Sequence, residues 1–258
     1  MTCPGQYQLV CGDGAHMDVL RNGEADLVLT SPPYFSAETE ALLKKPVREQ
    51  REVGRVRREI EAFARGLMPV YEEIRRVLRP GGVLVLQVKD LRYANLLITL
   101  AGIHRDMAEA SGLNLFGRVF WHKFRRGSAS ARFLARPVVG SFGVDDVEEI
   151  LLFSESGVDR RKGAVQLSEE EIRRCAHPLW TLPAAGRGRA HPHQFPRALA
   201  RRALALFTNP GDLVVDPFAG SGTALAEAAD MGRRAVGYEI APDRARLTTE
   251  TLDRRLAP

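Results

Sequence analysis

Short apolar runs alternate along the chain with longer segments whose apolar residues recur at helical spacing. The runs that predict strands are Tyr7–Cys11, Asp26–Leu29, Val83–Val88, Arg118–Trp121, Glu148–Phe153, Asp212–Val215 and Arg234–Glu239. The segments that predict helices are a short one before Asp26, Ile60–Leu78, Tyr93–Ala110, Pro196–Thr208 and Pro242–Leu256. This alternation predicts the α/β class, with a doubly wound, mostly parallel sheet that carries helices on both faces.

Two details refine this prediction. The segment Ile60–Leu78 contains Gly66 and Pro69, which predict a kinked helix or two separate helices. The runs Arg118–Trp121 and Glu148–Phe153 are expected to pair as a hairpin, with a basic loop between them. The stretch from residue 154 to residue 190 has the least regular pattern.

Two strings that follow predicted strands carry residue types suited to chemistry. The first, Thr30–Tyr34, reads TSPPY, and the second, Asp216–Thr223, reads DPFAGSGT. Open α/β sheets place their binding sites at the carboxyl ends of parallel strands, so both strings are expected at one edge of the sheet. They lie far apart in the chain, and a shared site would have to be assembled by the fold.

Composition narrows the class of protein. With 258 residues, 45% of them hydrophobic and 27% charged, the chain fits a soluble protein of one large domain, or of one domain with a small appendage. Its net charge of +5 and pI near 9.4 favour a polyanionic partner. The three cysteines lack paired spacing, so no disulfide framework is expected. The first residues do not form a signal peptide and no apolar run could span a membrane, so the expected location is the cytoplasm, near the nucleoid.

The Gly-rich turn in Asp216–Thr223 could bind three kinds of ligand. A triphosphate would need a lysine before the last Ser or Thr, and this turn has none. A dinucleotide would need a third glycine, where this chain has Leu225. Adenosine with a zwitterionic amino-acid tail remains. Glu239 follows Asp216 at a spacing suited to an acidic side chain that binds ribose hydroxyls.

The two strings together resemble the motifs of the S-adenosylmethionine-dependent DNA amino-methyltransferases. By this resemblance Thr30–Tyr34 is the catalytic string and Asp216–Thr223 is the cofactor string. The catalytic string comes first in the chain, a circularly permuted order that marks the β class of that family. The resemblance implies a Rossmann-like methyltransferase fold, S-adenosyl-L-methionine as cofactor and a role in restriction–modification. It implies that residues 1–153 form the catalytic half, 154–190 a short target-recognition segment and 191–258 the cofactor-binding half. The cofactor-binding residues it implies are Asp13, Phe195, Asp216, Pro217, Phe218, Gly220, Gly222, Thr223 and Glu239.

The same resemblance makes Ser31, Pro32, Pro33 and Tyr34 the catalytic residues. The Ser31 hydroxyl and the Pro32 carbonyl could accept hydrogen bonds from an exocyclic amine, and Tyr34 could stack on a flipped base. In this family a serine at the first motif position mostly goes with cytosine N4, so N4 methylation is the prediction. Adenine N6, an RNA substrate, and a nucleic-acid-binding module without activity stay open as alternatives. Methylation at cytosine C5 is not expected, because no cysteine has the required setting.

Double-stranded DNA is the expected partner, with a homodimer left open. Basic residues cluster in a basic loop 38–58, in a hairpin loop 123–142 and near residue 188, although any single cluster could be a solvated face. The residues proposed to contact DNA are Lys44, Arg55, Arg57, Arg58, Lys123, Arg125, Arg126, Arg187 and Arg189. Cys175, His177, His191 and His193 match no common zinc spacing, so no metal is expected.

Overall fold

A computed structural model describes residues 7–36, 39, 50–93, 96–124, 147–158, 167–183 and 196–256. The strands are β1 Tyr7–Cys11, β2 Ala25–Thr30, β3 Leu78–Val88, β4 Leu91–Tyr93, β5 Leu96–Ile98, β6 Asn114–Phe124, β7 Val147–Ser154, β8 Leu179–Pro183, β9 Leu213–Asp216 and β10 Arg234–Glu239. The helices are α1 Gln50–Arg65, α2 Met68–Val77, α3 Leu100–Ala110, α4 Glu169–Ala176, α5 Arg197–Phe207, α6 Thr223–Asp230 and α7 Pro242–Leu256.

Eight strands form one sheet in the order β1-β10-β9-β2-β3-β7-β6-β8, and β4 pairs with β5 in a separate small hairpin. Within the described part of the large sheet, β7 runs antiparallel to both of its neighbours and every other adjacent pair is parallel. The predicted hairpin between β6 and β7 is confirmed. From β9 the chain proceeds to β10 on one side, and from β2 to β3 on the other. The strand order therefore reverses between β9 and β2, which is where open α/β sheets bind ligands.

Successive residues of β2 point to opposite faces of this sheet. Val28 joins a core with α1, α2 and α3, whereas Leu27 and Leu29 join a second core with α5 and α6. All three side chains are fully buried, as expected for a strand covered on both faces. The predicted doubly wound α/β fold is confirmed.

Several predicted elements have different bounds. The long apolar helix is two helices, with α1 ending at Arg65 before α2 begins at Met68, as Gly66 and Pro69 indicated. The helix expected from Tyr93 begins only at Leu100, because β4 and β5 precede it.

The prediction of a short helix before Asp26 is wrong, because this stretch consists of turns. Arg76 on α2 holds the turns by donating to the carbonyl oxygens of Met17 and Leu20 at 3.0 Å and to Asn22 Oδ1 at 2.9 Å. The bonds to Met17 and Leu20 satisfy backbone carbonyl groups that a helix would have satisfied internally.

Two segments expected to be irregular contain regular structure. The basic segment 38–58 is helical from Gln50 onward. Within 154–190, α4 begins with a capping box in which Ser168 and Glu171 exchange hydrogen bonds, and β8 joins the main sheet beside β6. No helix in the described part of the chain is long and apolar enough to cross a membrane.

Candidate active site

The two sequence strings meet because their strands are neighbours. In the register of β2 and β9, Leu27 pairs with Val214 and Val28 with Val215. Thr30, the last residue of β2, donates a buried hydrogen bond of 2.6 Å from its hydroxyl to the carboxylate of Asp216, the last residue of β9. The catalytic and cofactor strings therefore leave the sheet side by side at its reversal point.

The side chain of Asp216 is buried. Its burial raises its pKa from the ordinary 3.8 to about 6, with Glu239 adding to the rise and hydrogen bonds from Thr30 and the Phe218 amide opposing it. The Phe218 amide lies 3.0 Å from the same Asp216 oxygen that accepts from Thr30. These bonds fix the carboxyl group at the start of the turn, where it could meet a positively charged ligand group.

The two glycines of the turn have different surroundings. Gly220 and Gly222 have φ angles of +50° and +72°, which favour glycine. A Cβ on Gly222 would lie 2.8 Å from Thr248 Cγ2, so this glycine allows α7 to pack against the turn. A Cβ on Gly220 would meet nothing closer than the Phe218 oxygen at 3.7 Å. Gly220 thus leaves its backbone open to a ligand, while Gly222 is the N-cap residue directly before α6.

Two further cofactor candidates flank this turn. Glu239 ends β10 with a buried side chain, and its Oε1 accepts from the Ala241 amide at 3.0 Å. The Glu239 carbonyl accepts from the Gly12 amide at 3.0 Å, which brings the turn after β1 beside it. The exposed Asp13 side chain accepts from the Ala15 amide at 2.9 Å.

The turn after β1 also touches the cofactor string. A Cβ on Gly14 would lie 2.6 Å from the Pro217 carbonyl oxygen. The sequence therefore needs glycine at position 14 so that the two backbones can approach. This contact brings the Asp13 turn, the Asp216 turn and Glu239 to one edge of the sheet.

Ile240 belongs to the same edge and was not identified from the sequence. It follows Glu239 and is 67% exposed, which is high for an isoleucine. An apolar side chain here could cover a planar ring of a ligand held by Glu239. An apolar residue directly after the acidic end of a predicted strand was the signal that could have indicated it.

The catalytic string lies partly in the core. Pro32 is buried and Pro33 exposed, while Ser31 is half-buried. The Tyr34 ring is only 8% exposed, which differs from the open stacking face expected from the sequence. Burial and then Glu148 raise the pKa of its hydroxyl, while hydrogen bonds from Ser31 and Gln87 oppose that rise. The Gln87 amide nitrogen lies 3.5 Å from the Tyr34 oxygen.

The structure separates the basic residues into different groups. Arg55, Arg57 and Arg58 are exposed on α1, where Arg55 pairs with Glu59 and Arg57 with Glu61, each at 2.7 Å. The three arginines thus lie at the surface, as DNA contact would require.

Lys123 does not occupy the surface position expected from the sequence. It is 7% exposed and forms an ion pair with the equally buried Glu148. A buried ammonium in an ion pair cannot contact phosphate unless the pair opens, so we correct this assignment.

Other sequence predictions lie outside the described residues. They concern Lys44, Arg125, Arg126, Arg187, Arg189, Phe195, His191 and His193. Among the residues that are described, no three His, Cys, Asp or Glu side chains are grouped so that they could hold a metal ion.

Comparisons with known proteins found a matching family and several similar chains. An N6/N4 methyltransferase family model, described as DNA methylase, matches residues 25–250. The type II methyltransferase M.MjaI of Methanocaldococcus jannaschii is 27% identical over 267 residues, which cover 91% of this chain and 87% of that protein. A protein of Thermus thermophilus, described as a DNA modification methylase, superposes with a TM-score of 0.74 and 28% identity, over 98% of this chain and 95% of its own. Its structure is a complex with S-adenosyl-L-methionine, in agreement with the cofactor predicted from the sequence.

The PvuII DNA methyltransferase, which is cytosine-N4-specific, has a TM-score of 0.69 at 19% identity, over 98% of this chain and 93% of its own. That likeness concerns the fold alone. The family model, by contrast, spans most of the chain and includes both the string that follows β2 and the string that follows β9. The protein belongs to the N6/N4 DNA methylase family.

Proposed function

We propose that this protein transfers a methyl group from S-adenosyl-L-methionine to the exocyclic N4 amine of cytosine in duplex DNA, as the modification enzyme of a restriction–modification system. The observation that carries the proposal is the hydrogen bond between Thr30 and Asp216. It ties the amine-accepting string to the cofactor string at the reversal point of the sheet. Family membership supplies the reaction class.

The residues at the edge of the sheet that holds the Asp13 turn, the Asp216 turn and Glu239 fit S-adenosyl-L-methionine. Asp216 could attract its positively charged methionine part, and Gly220 leaves room for the backbone to approach that part. Glu239 could accept the ribose hydroxyls, with Ile240 and the turn of Asp13 on either side of the adenine. The turn lacks a lysine, and this ligand carries no phosphate that would need one. When bound, the ligand supplies an activated methyl group on a sulfonium.

The catalytic string would act on the amine. The lone pair of a cytosine amine is delocalised into the ring, so the nitrogen is a poor nucleophile. Acceptors at Ser31 Oγ and the Pro32 carbonyl would bind its hydrogens and favour a pyramidal nitrogen. The Pro32–Pro33 pair restricts the backbone, which keeps these acceptors in place. Proximity to the methyl donor would supply much of the rate.

Base flipping follows from the position of these acceptors. The amine of a paired cytosine lies inside the duplex and cannot reach the Ser31 string, so the base would have to be extruded. The Tyr34 ring, only 8% exposed, would need to present one face or edge to the extruded base. The basic surface of α1, with Arg55, Arg57 and Arg58, is our candidate for contact with the phosphate backbone.

Adenine N6 is the second candidate acceptor, because the matching family includes both specificities. The serine of the string favours N4. The same acceptor geometry could bind the amine of adenine, which differs chiefly in the size of the attached ring.

The product decides between the two bases. Purified protein is incubated with S-adenosyl-L-methionine and genomic DNA from a strain without modification enzymes, and the digested nucleosides are analysed by mass spectrometry. N4-methylcytosine is the expected product. N6-methyladenine would replace the proposal with the second candidate, and 5-methylcytosine would contradict the mechanism.

Two variants test the catalytic string in the same assay. Tyr34→Ala should lose most turnover yet keep its cofactor affinity, because the cofactor residues lie on other strings. Ser31→Ala should lower turnover less severely, because the Pro32 carbonyl remains as an acceptor. Full activity of both variants would show that the string does not hold the amine.

A further inference from the structure

Four buried polar side chains, those of Tyr34, Gln87, Glu148 and Lys123, form a hydrogen-bonded polar network next to the catalytic string. Gln87 on β3 donates from its amide nitrogen to the Tyr34 hydroxyl at 3.5 Å and to the Glu148 carboxylate. Glu148 on β7 forms an ion pair with Lys123 on β6. These four side chains are between 3% and 8% exposed. At the Tyr34 end of this polar network, the Ser31 side chain hydrogen-bonds to Tyr34.

The register of the strands places this polar network beside the catalytic string. Leu86 pairs with Thr30 across β3 and β2, so Gln87 is level with Ser31. On the other side, Glu148 pairs with Trp121 in the β6–β7 hairpin. The Lys123 ammonium lies 5.4 Å from the centre of the Trp121 ring. These side chains therefore link the catalytic string, which follows β2, to β7 and β6, the strands two and three positions farther along the sheet.

Stability alone does not account for a buried ion pair at this position. Removing a carboxylate and an ammonium from water costs several kcal/mol per ion, and apolar residues of similar volume are often as stabilising or more so. Glu148 and Lys123 are surrounded by an otherwise apolar sheet, in which Ile150 and Trp121 are also buried. Ions in such a place indicate a directional requirement.

The directional requirement can be derived from hydrogen-bonding capacity. An ionised carboxylate only accepts hydrogen bonds. The side-chain amide of Gln87 is therefore fixed with its NH₂ group, and not its oxygen, directed at Glu148. The same NH₂ group then donates to the Tyr34 oxygen. The second lone pair of the Tyr34 oxygen can accept the Ser31 hydroxyl hydrogen, and this direction agrees with the Ser31 hydrogen bond opposing the rise in the Tyr34 pKa. With that hydrogen directed at Tyr34, the lone pairs of Ser31 are left for an incoming amine.

We propose that Gln87, Glu148 and Lys123 are positioning residues that orient the Tyr34 and Ser31 hydroxyls so that Ser31 accepts hydrogen bonds from the substrate amine. The proposal rests on the proposed function for its substrate. It concerns any exocyclic amine and is indifferent to whether the base is cytosine or adenine.

The main test removes the ion pair without leaving a single buried charge. The double variant Lys123→Met, Glu148→Leu should fold, because both charges are replaced by apolar groups. We expect its single-turnover methylation rate to fall about tenfold or more, because orientation of an acceptor contributes to rate and not to cofactor binding. Affinity for S-adenosyl-L-methionine should stay within about twofold.

A matched control comes from the same two strands. Arg118 on β6 and Glu149 on β7 form an ion pair of 3.8 Å, with the arginine side chain 55% exposed. The double variant Arg118→Met, Glu149→Leu likewise replaces a basic residue with Met and a glutamate with Leu on the same two strands. Its methylation rate should stay close to that of the wild type. Equal losses in both double variants would overturn the proposal in favour of a general effect on the hairpin.

A double-mutant cycle separates positioning from structural support. Tyr34→Phe keeps the ring and removes the hydroxyl group that the polar network orients. In the Tyr34→Phe background, the change Gln87→Leu should lower the rate little further, because both act through the same oxygen. Losses that simply multiply would show that Gln87 acts independently of Tyr34 and would overturn the proposal.

A readout without activity keeps the test decisive if the protein methylates no DNA that is tried. The chain has five tyrosines, so tyrosine labelled with ¹³C at Cζ gives few signals, and Tyr34→Phe assigns the one from Tyr34. Gln87→Leu and the Lys123→Met, Glu148→Leu variant should shift that signal, and the Arg118→Met, Glu149→Leu control should not. An unchanged Tyr34 signal would overturn the proposal. Absence of methyl transfer by the wild type would refute only the proposed function.

Discussion

At the scale of single residues, Asp216 joins the two halves of the candidate site. Its carboxyl group accepts from Thr30 on the neighbouring strand and from the backbone of its own turn. Burial is the main reason that its pKa rises to about 6. The protonation state of Asp216 therefore changes close to physiological pH, in the place where the proposed ligand carries positive charge.

The sign of the resulting pH dependence follows from this shift. The pKa of Asp216 in the folded protein, about 6, lies above its ordinary 3.8, so the folded state holds the proton more tightly than the unfolded chain. This contribution to stability is complete below the ordinary pKa and is lost as the pH rises through about 6. A cationic ligand has the opposite preference, because it favours the ionised carboxylate.

Affinity for S-adenosyl-L-methionine should therefore increase with pH. We expect it to be about tenfold weaker one pH unit below the Asp216 pKa than well above it. Isothermal titration calorimetry at several pH values measures this directly. Asp216→Asn should bind weakly at every pH and show little slope. A wild-type affinity that does not change across the range would contradict a role for the ionised Asp216 in binding.

At the scale of elements, α1 carries the described part of the basic segment. Arg55 and Arg57 are paired with glutamates one turn later along the helix, and such exposed pairs contribute little to stability. These arginines can exchange their partners for phosphates at small cost, which is what a DNA-contacting surface requires.

Replacing Arg55, Arg57 and Arg58 with glutamine should weaken DNA binding and reduce its salt dependence. Each phosphate contact releases counterions, so the slope of log K against log salt should fall by up to about three. Fluorescence anisotropy with a labelled duplex at several salt concentrations measures the slope. A control replaces three exposed arginines that lie outside α1, namely Arg21, Arg234 and Arg254. Equal slopes for the two triple variants would show that α1 does not contact DNA.

Glu227 connects three helices on the other face of the sheet. Its fully buried carboxylate on α6 accepts from Arg197 at 2.5 Å, Arg201 at 2.8 Å and Arg255 at 2.7 Å. Burial by itself raises the pKa of Glu227, but the three arginines outweigh it, and the pKa lies below its usual value. Because the folded pKa is lowered, this stabilisation is present above the ordinary glutamate pKa and is lost as the pH falls below it.

Glu227→Gln should destabilise the protein by about 2–3 kcal/mol at neutral pH, because it leaves three guanidinium groups without their shared carboxylate. The value is at the low end for a buried pair because Arg197 and Arg201 are half exposed and can turn toward water. Urea unfolding measures the difference, which should shrink in acid. Glu169→Gln, in an exposed pair on α4, should change stability by less than about 0.5 kcal/mol. Similar losses in both variants would contradict this account.

At the scale of the whole molecule, cofactor binding should stabilise the complete fold, because the binding edge includes residues from both ends of the chain. At a concentration of about 100 times Kd, S-adenosyl-L-methionine should add about 2.7 kcal/mol, which raises the Tm by about 5–10 °C for a domain of this size. Differential scanning fluorimetry measures the shift.

The Glu239→Ala variant should lose most of this shift, since removing the ribose hydrogen bonds costs about 1.5–3 kcal/mol of binding. Glu250→Ala, which changes an exposed glutamate on α7, should keep it. A full shift in Glu239→Ala would remove Glu239 from the cofactor site.

The sequence by itself determined the α/β class, most of the strands and the two strings that form the candidate site. These features are encoded locally. A buried parallel strand needs a continuous apolar run, as in Leu213–Val215, and a turn with positive φ needs glycine, as at Gly220 and Gly222. Gly66 and Pro69 likewise indicated two helices because their effects on the backbone are local.

Only the tertiary structure decided which of these parts meet. The contact between Thr30 and Asp216 depends on β2 lying beside β9, and no local pattern specifies that pairing. The same is true of Lys123, which counted as a basic surface residue in the sequence and is buried with Glu148 in the structure. Burial of a charge depends on which strands flank it, and that depends on contacts between distant parts of the chain. The sequence supplied the chemical groups, and long-range packing decided which of them act together.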